Sequence, residues 1–535
     1  MNVRATASAG LDVSGATAPS GAKWIHFRKA SESAWIRQSM LVLDERGAKR
    51  RLVECGISLI GPGWKRALER IDALSDFPPA MIIEQPGWAG SSFAMIDGTV
   101  FSPGGESYAP IAFDVDTTKC QTGGSFETWK SDLLMPLIGQ SIPLSLFAMA
   151  LASPLLEITG RSENFGLEIV GPARCGKSTC QFLAASMAGP VKNDSGGKYW
   201  ISSDATSDGF ETAMAGHSDM PMLINEANLF YADLAPRARG DKLKALAFRL
   251  AQGHEKTRHK EGKPRSHRFI YIMSTNAPLA SLLPAQSSAT AEAAADRLMT
   301  LTIDTARPHR IFDFVPEGYD DAEGYAKALE RVAQNHHGHA MRKFLIALVD
   351  DRAADPEKLL RRIDKMMAKF RARTSTGRLG AVNSRIADAF ALAYAAGELA
   401  KRYKVFPPEI YFGPALAKTY ALVAGSRTSG RTFDEMVEHL ASLPGVVDLD
   451  VSVLAKMDDM TFNAVPAFIR SNRAGDRETL VRPVTLEKEI PGWKKLIKGT
   501  DVKTRCKRDE DHLTQKRQVR RGKADRMIVL VAPPC

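Results

Sequence analysis

The chain has 535 residues, 44% of them hydrophobic and 25% charged, with a net charge of +11 at pH 7. Those proportions are ordinary for a soluble protein of about three or four domains, and the surplus of cations favours acidic polymers as partners. The six cysteines (Cys55, Cys120, Cys175, Cys180, Cys506 and Cys535) match neither a zinc site nor a disulfide framework, so reduced thiols are expected.

Met1 to Ser20 is rich in Ala, Ser, Gly and Thr without a continuous apolar stretch, which predicts a disordered tail over 1–20 and no export signal. Short apolar runs broken by turn signals follow, such as Met40–Leu43 before Glu45-Arg-Gly47 and Phe93–Ile96 before the hairpin cue Asp97-Gly98. They predict a β-rich α/β domain over 21–125. Met135–Leu156 carries no charge, but Pro136, Gly139, Gln140, Pro143 and Pro154 interrupt it, so a buried helical segment is expected and no membrane span. With no export signal and no span, a cytoplasmic protein is expected.

From Gly166 to Ile303 apolar strands alternate with helices: Gly166–Val170, a helix from Ser178 to Met187, then Met220–Asn225, Arg268–Ser274 and Leu298–Ile303. This order predicts a parallel sheet covered on both faces, in an α/β core over 126–315. Helical periodicity then runs through Ala322–Ala333, His339–Val349, Pro356–Arg373, Val382–Arg402 and Pro414–Val423, a helical lid over 316–425. Mixed signals up to the strand Met527–Val531 make 426–535 a basic α+β region, where residues 494–526 hold 13 Lys or Arg against 5 Asp or Glu. The helix Lys358–Arg373 is also basic. Either stretch is a phosphate-contacting surface or a plain solvated face.

Gly171-Pro-Ala-Arg-Cys175-Gly176-Lys177-Ser178-Thr179 carries the chemistry. Gly-x4-Gly-Lys-Ser between a strand and a helix lets backbone N–H groups wrap a nucleoside triphosphate at a helix N-terminus. Gly171, Cys175, Gly176, Lys177, Ser178 and Thr179 are the expected cofactor-binding residues, for ATP with Mg²⁺. Lys177 would reach the β and γ oxygens and Ser178 would hold the metal.

Leu223-Ile-Asn225-Glu226 is the second element, with Glu226 as general base on the attacking water and Asn225 offering the metal a neutral carbonyl instead of a carboxylate. The strand ending in Ser274-Thr275-Asn276 places Asn276 to orient water against the γ-phosphate. Arg297, after an Ala-rich stretch, either reaches a phosphate at a subunit boundary or makes an edge ion pair. Between these motifs, Lys256, Arg258, Lys260 and Lys263 lie in a glycine-bounded cationic run. It is either a channel loop gripping nucleic-acid phosphates or a solvated loop.

Taken together, these residues resemble the bacterial, phage and plasmid P-loop family catalogued as domain of unknown function 927. The likeness runs over about Leu41 to Pro407: Gly87-Trp88 with Phe93, Gly124–Trp129, Ala152–Leu156, the P-loop with Ala184–Gly189, Asp204-Ala-Thr, Gly209-Phe-Glu211, Arg297-Leu298, Arg385–Leu392 and Ala395–Ala400. It implies a helicase-type ATPase found beside primases in mobile-element replication modules, forming a homo-oligomeric ring on nucleic acid, single-stranded DNA above all, with a primase or other replication protein as partner. The family usually reads Leu-Asp-Glu where this chain has Ile224-Asn225-Glu226, which weakens the expected metal site. It often reads Ser-Thr-Gly-Glu where this chain has Ser274-Thr275-Asn276-Ala277-Pro278, a sequence closer to the sensor of ring ATPases. The expectation is therefore an additional-strand, ring-ATPase-like P-loop core. Its alternatives are an ATP-binding switch or scaffold that hydrolyses slowly or not at all, and a P-loop kinase.

Overall fold

A computed structural model describes residues 10–107, 110–113, 115–161, 163–191, 198–202, 207–227, 250, 267–278, 298–304, 307–374, 384–428, 433–443, 445–451, 458–472, 476–490, 493, 506–507, 514–521 and 523–531. The chain divides into two compact units, Met1–Leu422 and Val423–Cys535.

The first unit begins with an antiparallel sheet of β1 (Asp12–Thr17), β2 (Lys23–Lys29) and β3 (Glu32–Arg37). Part of the segment expected as a disordered tail is thus a strand. β1 needs few apolar side chains because its ladder to β2, from Asp12↔Arg28 to Thr17↔Lys23, is made of backbone groups. Met40–Leu43 lies in a helix, α1 (Gln38–Leu43), rather than in an extended run. Glu45-Arg-Gly47 opens α2 (Glu45–Glu54), because Asp44 caps it by accepting a hydrogen bond from Gly47 N–H. With α3 (Pro62–Asp72) these helices bury Ile25, Phe27, Ile36, Leu52 and Trp64 on one face of the sheet. A four-stranded antiparallel sheet follows: β4 (Gly87–Ala89), β5 (Ser92–Ala94), β6 (Val100–Ser102) and β7 (Gly105–Glu106). Its β5–β6 turn holds Gly98 at φ +87°, as the Asp97-Gly98 cue predicts.

The centre of the unit is a five-stranded, all-parallel sheet. β8 (Phe165–Val170), β9 (Ile201–Ser202), β10 (Met220–Asn225), β11 (Phe269–Thr275) and β12 (Met299–Thr302) stand in the order β12-β8-β11-β10-β9. β11 is therefore the strand between β8 and β10. Met222, Ile224, Phe269, Tyr271 and Met273 pack on one face with Phe210 and Met214, which belong to α8 (Ser207–Gly216).

On the other face lie α7 (Lys177–Ala185) and α5 (Ser141–Ala152). The latter follows a short helix α4 (Phe126–Thr128) and precedes α6 (Leu155–Ile158). All residues of α5 are buried, as expected from its uncharged run, and Pro143 is accommodated in the first turn, where no helical N–H is lost. Each large apolar side chain there contributes about 1.5–3 kcal/mol relative to exposure.

Four helices continue the unit, α9 (Ala322–Asn335), α10 (His339–Ala354), α11 (Pro356–Thr374) and α12 (Ser384–Arg402), and a further helix, α13 (Phe412–Thr428), runs across the division at Leu422. α12 packs along both α5 and α11.

The second unit contains α14 (Phe433–Ala441), α15 (Asp459–Ala464), α16 (Pro483–Glu489) and strands β13 (Val447–Asp448), β14 (Ala467–Ser471), β15 (Arg477–Val481), β16 (Cys506–Lys507), β17 (Gln515–Arg520) and β18 (Lys523–Val531). Its two sheet faces are filled by clusters around Trp493 and Phe468. No helix among the described residues is long and apolar enough to cross a membrane.

His217, at the end of α8, is 3% exposed, and its Nδ1 meets Ala213 O at 2.6 Å, so that nitrogen carries the proton. Burial, aided by the Lys119 charge, lowers its pKa from 6.5 to about 4. The unfolded chain therefore binds this proton near pH 6.5, while the folded one resists it until about pH 4. Stability should fall by about 3 kcal/mol as pH drops through that window. Thermal midpoints measured from pH 7 to 4 should decline less steeply in His217→Gln than in the unaltered chain; parallel curves would contradict this.

Candidate functional site

β8 runs directly into the loop Gly171–Gly176, and α7 starts at Lys177. Gly176 caps the helix at φ +94°, where a β-carbon would lie 2.8 Å from Ile311 Cδ1. Both the left-handed backbone and the contact with Ile311 require glycine there. Gly171 faces a different constraint, since a β-carbon on it would lie 2.8 Å from Cys175 Sγ. Cys175 is 6% exposed, so its side chain is largely covered.

Lys177 is 9% exposed and folds back beneath its own loop, donating through Nζ to Gly171 O and Pro172 O, both at 2.7 Å. Cys175 Sγ lies 3.9 Å from the same nitrogen. The ammonium and the N-terminal end of α7 give this end of the sheet a positive field suited to an anion.

Parallel strands bring their C-terminal ends to the same edge, and there the loop meets β10 and β11. Ser178 Oγ donates to Asn225 Oδ1 at 3.2 Å, and Ser274 Oγ donates to the same oxygen at 3.1 Å. Glu226 N–H in turn donates to Ser274 Oγ at 3.0 Å. One turn into α7, Gln181 Nε2 donates to Ile224 O at 2.7 Å and Ile272 O at 2.9 Å, fixing the helix across β10 and β11. Glu226 itself is exposed and sits at φ +52°, a left-handed conformation uncommon outside glycine. Asn276, exposed, follows the end of β11.

The structure thus brings Gly171, Cys175, Gly176, Lys177, Ser178, Asn225 and Glu226 to one edge of the sheet, with Asn276 beyond the neighbouring strand. Thr179 points its hydroxyl elsewhere, donating to Glu330 Oε1 of α9 at 2.6 Å. Arg297, Lys256, Arg258, Lys260 and Lys263 lie outside the described residues. Among the described residues no cluster of His, Cys, Asp and Glu suits a metal by itself, and Cys55, Cys120, Cys175 and Cys180 form no disulfide.

Three contributors were not singled out by sequence. Ser274 is the hub between Asn225 and Glu226, and its position two residues before Asn276 is the available signal, since alternate strand residues share a face. Gln181 is one turn past the loop. Glu168, within β8, is 0% exposed and accepts hydrogen bonds from Thr275 Oγ1 at 3.0 Å and Thr300 Oγ1 at 3.1 Å. An acid in an otherwise apolar strand was its sequence signal.

Gly176→Ala tests the loop directly. The added methyl meets Ile311, and the left-handed backbone costs about 1–2 kcal/mol for an L-residue. The thermal midpoint of the variant, followed by circular dichroism, should fall; an unchanged midpoint would contradict the geometry.

Residues 22–268 match the family model described as Domain of unknown function (DUF927). No curated protein matches the chain. Among solved structures, one titled "SCCmec type IV Cch - active helicase" is similar at 13% identity and a TM-score of 0.58, over 99% of this chain and 95% of that one. Another, "The A form apo structure of NrS-1 C terminal region-CTR", aligns at 9% identity over 72% of this chain and 83% of that one, with a TM-score of 0.25. The chain therefore has a mixed α/β fold built on a parallel sheet, similar to that of the SCCmec type IV Cch helicase.

Proposed function

We propose that the protein is a magnesium-dependent ATPase of the helicase type that acts on nucleic acid during replication of a mobile element. The observation that carries this reading is the link from Ser178 through Asn225 and Ser274 to Glu226, which joins the phosphate-binding loop to the acidic strand end across β11. A loop that merely turned the chain would need no such connection. The strand order also supports it, because β11, with Asn276 after its end, separates β8 from β10.

In this reading the loop N–H groups and Lys177 bind the triphosphate, and the Glu226 carboxylate takes a proton from the attacking water as general base. Asn276 orients that water. Magnesium suits the donors present: it prefers hard oxygens, keeps several waters and takes few protein ligands, and Ser178 Oγ and Asn225 Oδ1 lie 3.2 Å apart. Bound there, it would neutralise charge on the phosphates. Arg297 would complete a neighbouring subunit's site in a homo-oligomeric ring. Lys256, Arg258, Lys260 and Lys263 would contact single-stranded DNA, with a primase as a natural partner and the cytoplasm as the place of action.

Asn225 supports a second reading, a nucleotide-binding switch with little turnover, since its neutral amide oxygen already accepts two hydroxyl donors. Steady-state phosphate release separates the two. The unaltered protein should hydrolyse ATP with magnesium, faster with single-stranded DNA, and lose activity with a chelator. Lys177→Ala should abolish nucleotide binding. Glu226→Gln should retain binding and lower kcat by about 10²–10⁴-fold. Nucleotide binding without measurable hydrolysis in the unaltered protein would overturn the motor and leave the switch.

A further inference from the structure

The basic stretch near the C-terminus folds as a hairpin in the second unit. Residues 514–527 hold six Lys or Arg against a single Asp. β17 pairs with β18 from Gln515↔Met527 to Arg520↔Lys523, whereas β15 and β16 pair with β18 over residues 528–531. The hairpin is therefore a two-stranded ribbon that continues past the other strands of its sheet. Its two faces differ. Val519, Met527 and Val529 pack with Phe462 and Phe468 in the core of the unit. A register shift between Arg517 and Arg520 turns Arg520 to that side as well, where it lies over the Phe462 ring and pairs with Asp525 and Asp459. Lys516 and Arg526 stand on the opposite face. Farther along β18 that face is covered, because Ile528 and Leu530 pack with Trp493 and α14, but at Lys516, Gln518 and Arg526 it is exposed. Arg521, at the turn, is exposed too.

Lys516 and Arg526 are direct cross-strand partners. Like charges placed opposite each other on antiparallel strands destabilise the pair, so the ribbon keeps an arrangement that an anion would relieve. The nearby acids are committed elsewhere, Asp525 to Arg520 and Asp459 to Arg520 and Lys523. Among the described residues no carboxylate pairs with Lys516, Arg521 or Arg526. The basic helix α11 is different. Its Arg361, Arg362 and Arg371 pair with Glu357, Asp351 and Asp388, which is the pattern of a solvated face.

We infer that the β17–β18 ribbon is a docking surface for duplex DNA, with Lys516, Arg521 and Arg526 on backbone phosphates. The unneutralised cations select a polyanion. The ribbon has no aromatic side chain, so it lacks the stacking platform by which proteins hold single strands. A two-stranded β-ribbon fits the major groove of B-DNA, whereas the deep, narrow major groove of duplex RNA keeps side chains out. The contact belongs to the second unit and needs no nucleotide, so it stands or falls independently of ATP hydrolysis.

The test uses the full chain without nucleotide. Binding of a short fluorescein-labelled DNA duplex of arbitrary sequence, and of one of its strands alone, is followed by anisotropy between about 50 and 200 mM salt. Two triple variants are compared with the unaltered protein: Lys516→Gln with Arg521→Gln and Arg526→Gln on the ribbon, and Lys358→Gln with Lys365→Gln and Lys369→Gln on α11, which removes the same charge from exposed positions elsewhere. The ribbon variant should raise the Kd for duplex about tenfold or more and flatten the slope of log K against log salt by about three, while single-strand binding changes far less. The α11 variant should bind duplex as the unaltered protein does. The thermal midpoint of the ribbon variant should be unchanged or raised, since the repulsion between residues 516 and 526 is gone; a lowered midpoint would overturn the cross-strand geometry and the inference with it. Duplex affinity retained in the ribbon variant, equal loss in both variants, equal loss on duplex and single strand, or no duplex binding by the unaltered protein would overturn the assignment.

Discussion

Asn225 Oδ1 accepts hydrogen bonds from hydroxyls on two separate elements, Ser178 at the start of α7 and Ser274 at the end of β11. The geometry of the site depends on this shared oxygen. It links the first turn of α7 to the ends of β10 and β11, one turn ahead of the second tie that Gln181 makes to the same two strands. A neutral amide suits the task because its oxygen has two lone pairs and accepts both hydroxyls without placing a net charge there.

Beneath that layer the sheet is tied a second time. Glu168 on β8 takes hydroxyl donors from both adjacent strands, Thr275 of β11 and Thr300 of β12. Gln181 fixes α7 to the carbonyls of β10 and β11 on the opposite side. The polar groups inside this core thus bridge neighbouring elements near the C-terminal edge, while the remainder is apolar and packs on both faces.

The parts of this architecture legible in sequence are those with strong periodicity. The strand Met220–Asn225 and the helices beginning at Ala322, His339 and Pro356 follow the apolar spacing closely. The uncharged run around Ile142–Leu151 became a wholly buried helix for the reason its composition suggests. Errors fell where backbone pairing or capping outweighs side-chain pattern. β1 is held by its ladder to β2, and Asp44 turns an apparent break into a helix start. In the site, the motif marked Lys177, Ser178, Asn225 and Glu226, but not the hydroxyl between them. Ser274 acquires its role only once β11 stands between β8 and β10, and strand order is not written in local spacing. A cavity beside the loop, lined by Arg174 and Gly176 together with Ile311 and Ala326, was illegible for the same reason, since its walls come from residues more than a hundred positions apart.

The buried helix α5 has a consequence for handling the protein. Ser141 to Ala152 contains no charged side chain and is shielded on all sides in the folded unit. Any route that pulls the sheet away from α12 would present this stretch to solvent as a sticky, mostly apolar segment, so aggregation competes with refolding once the unit opens. Heat inactivation of this chain should therefore depend on scan rate, with its durability set by how slowly α5 is uncovered rather than by an equilibrium midpoint.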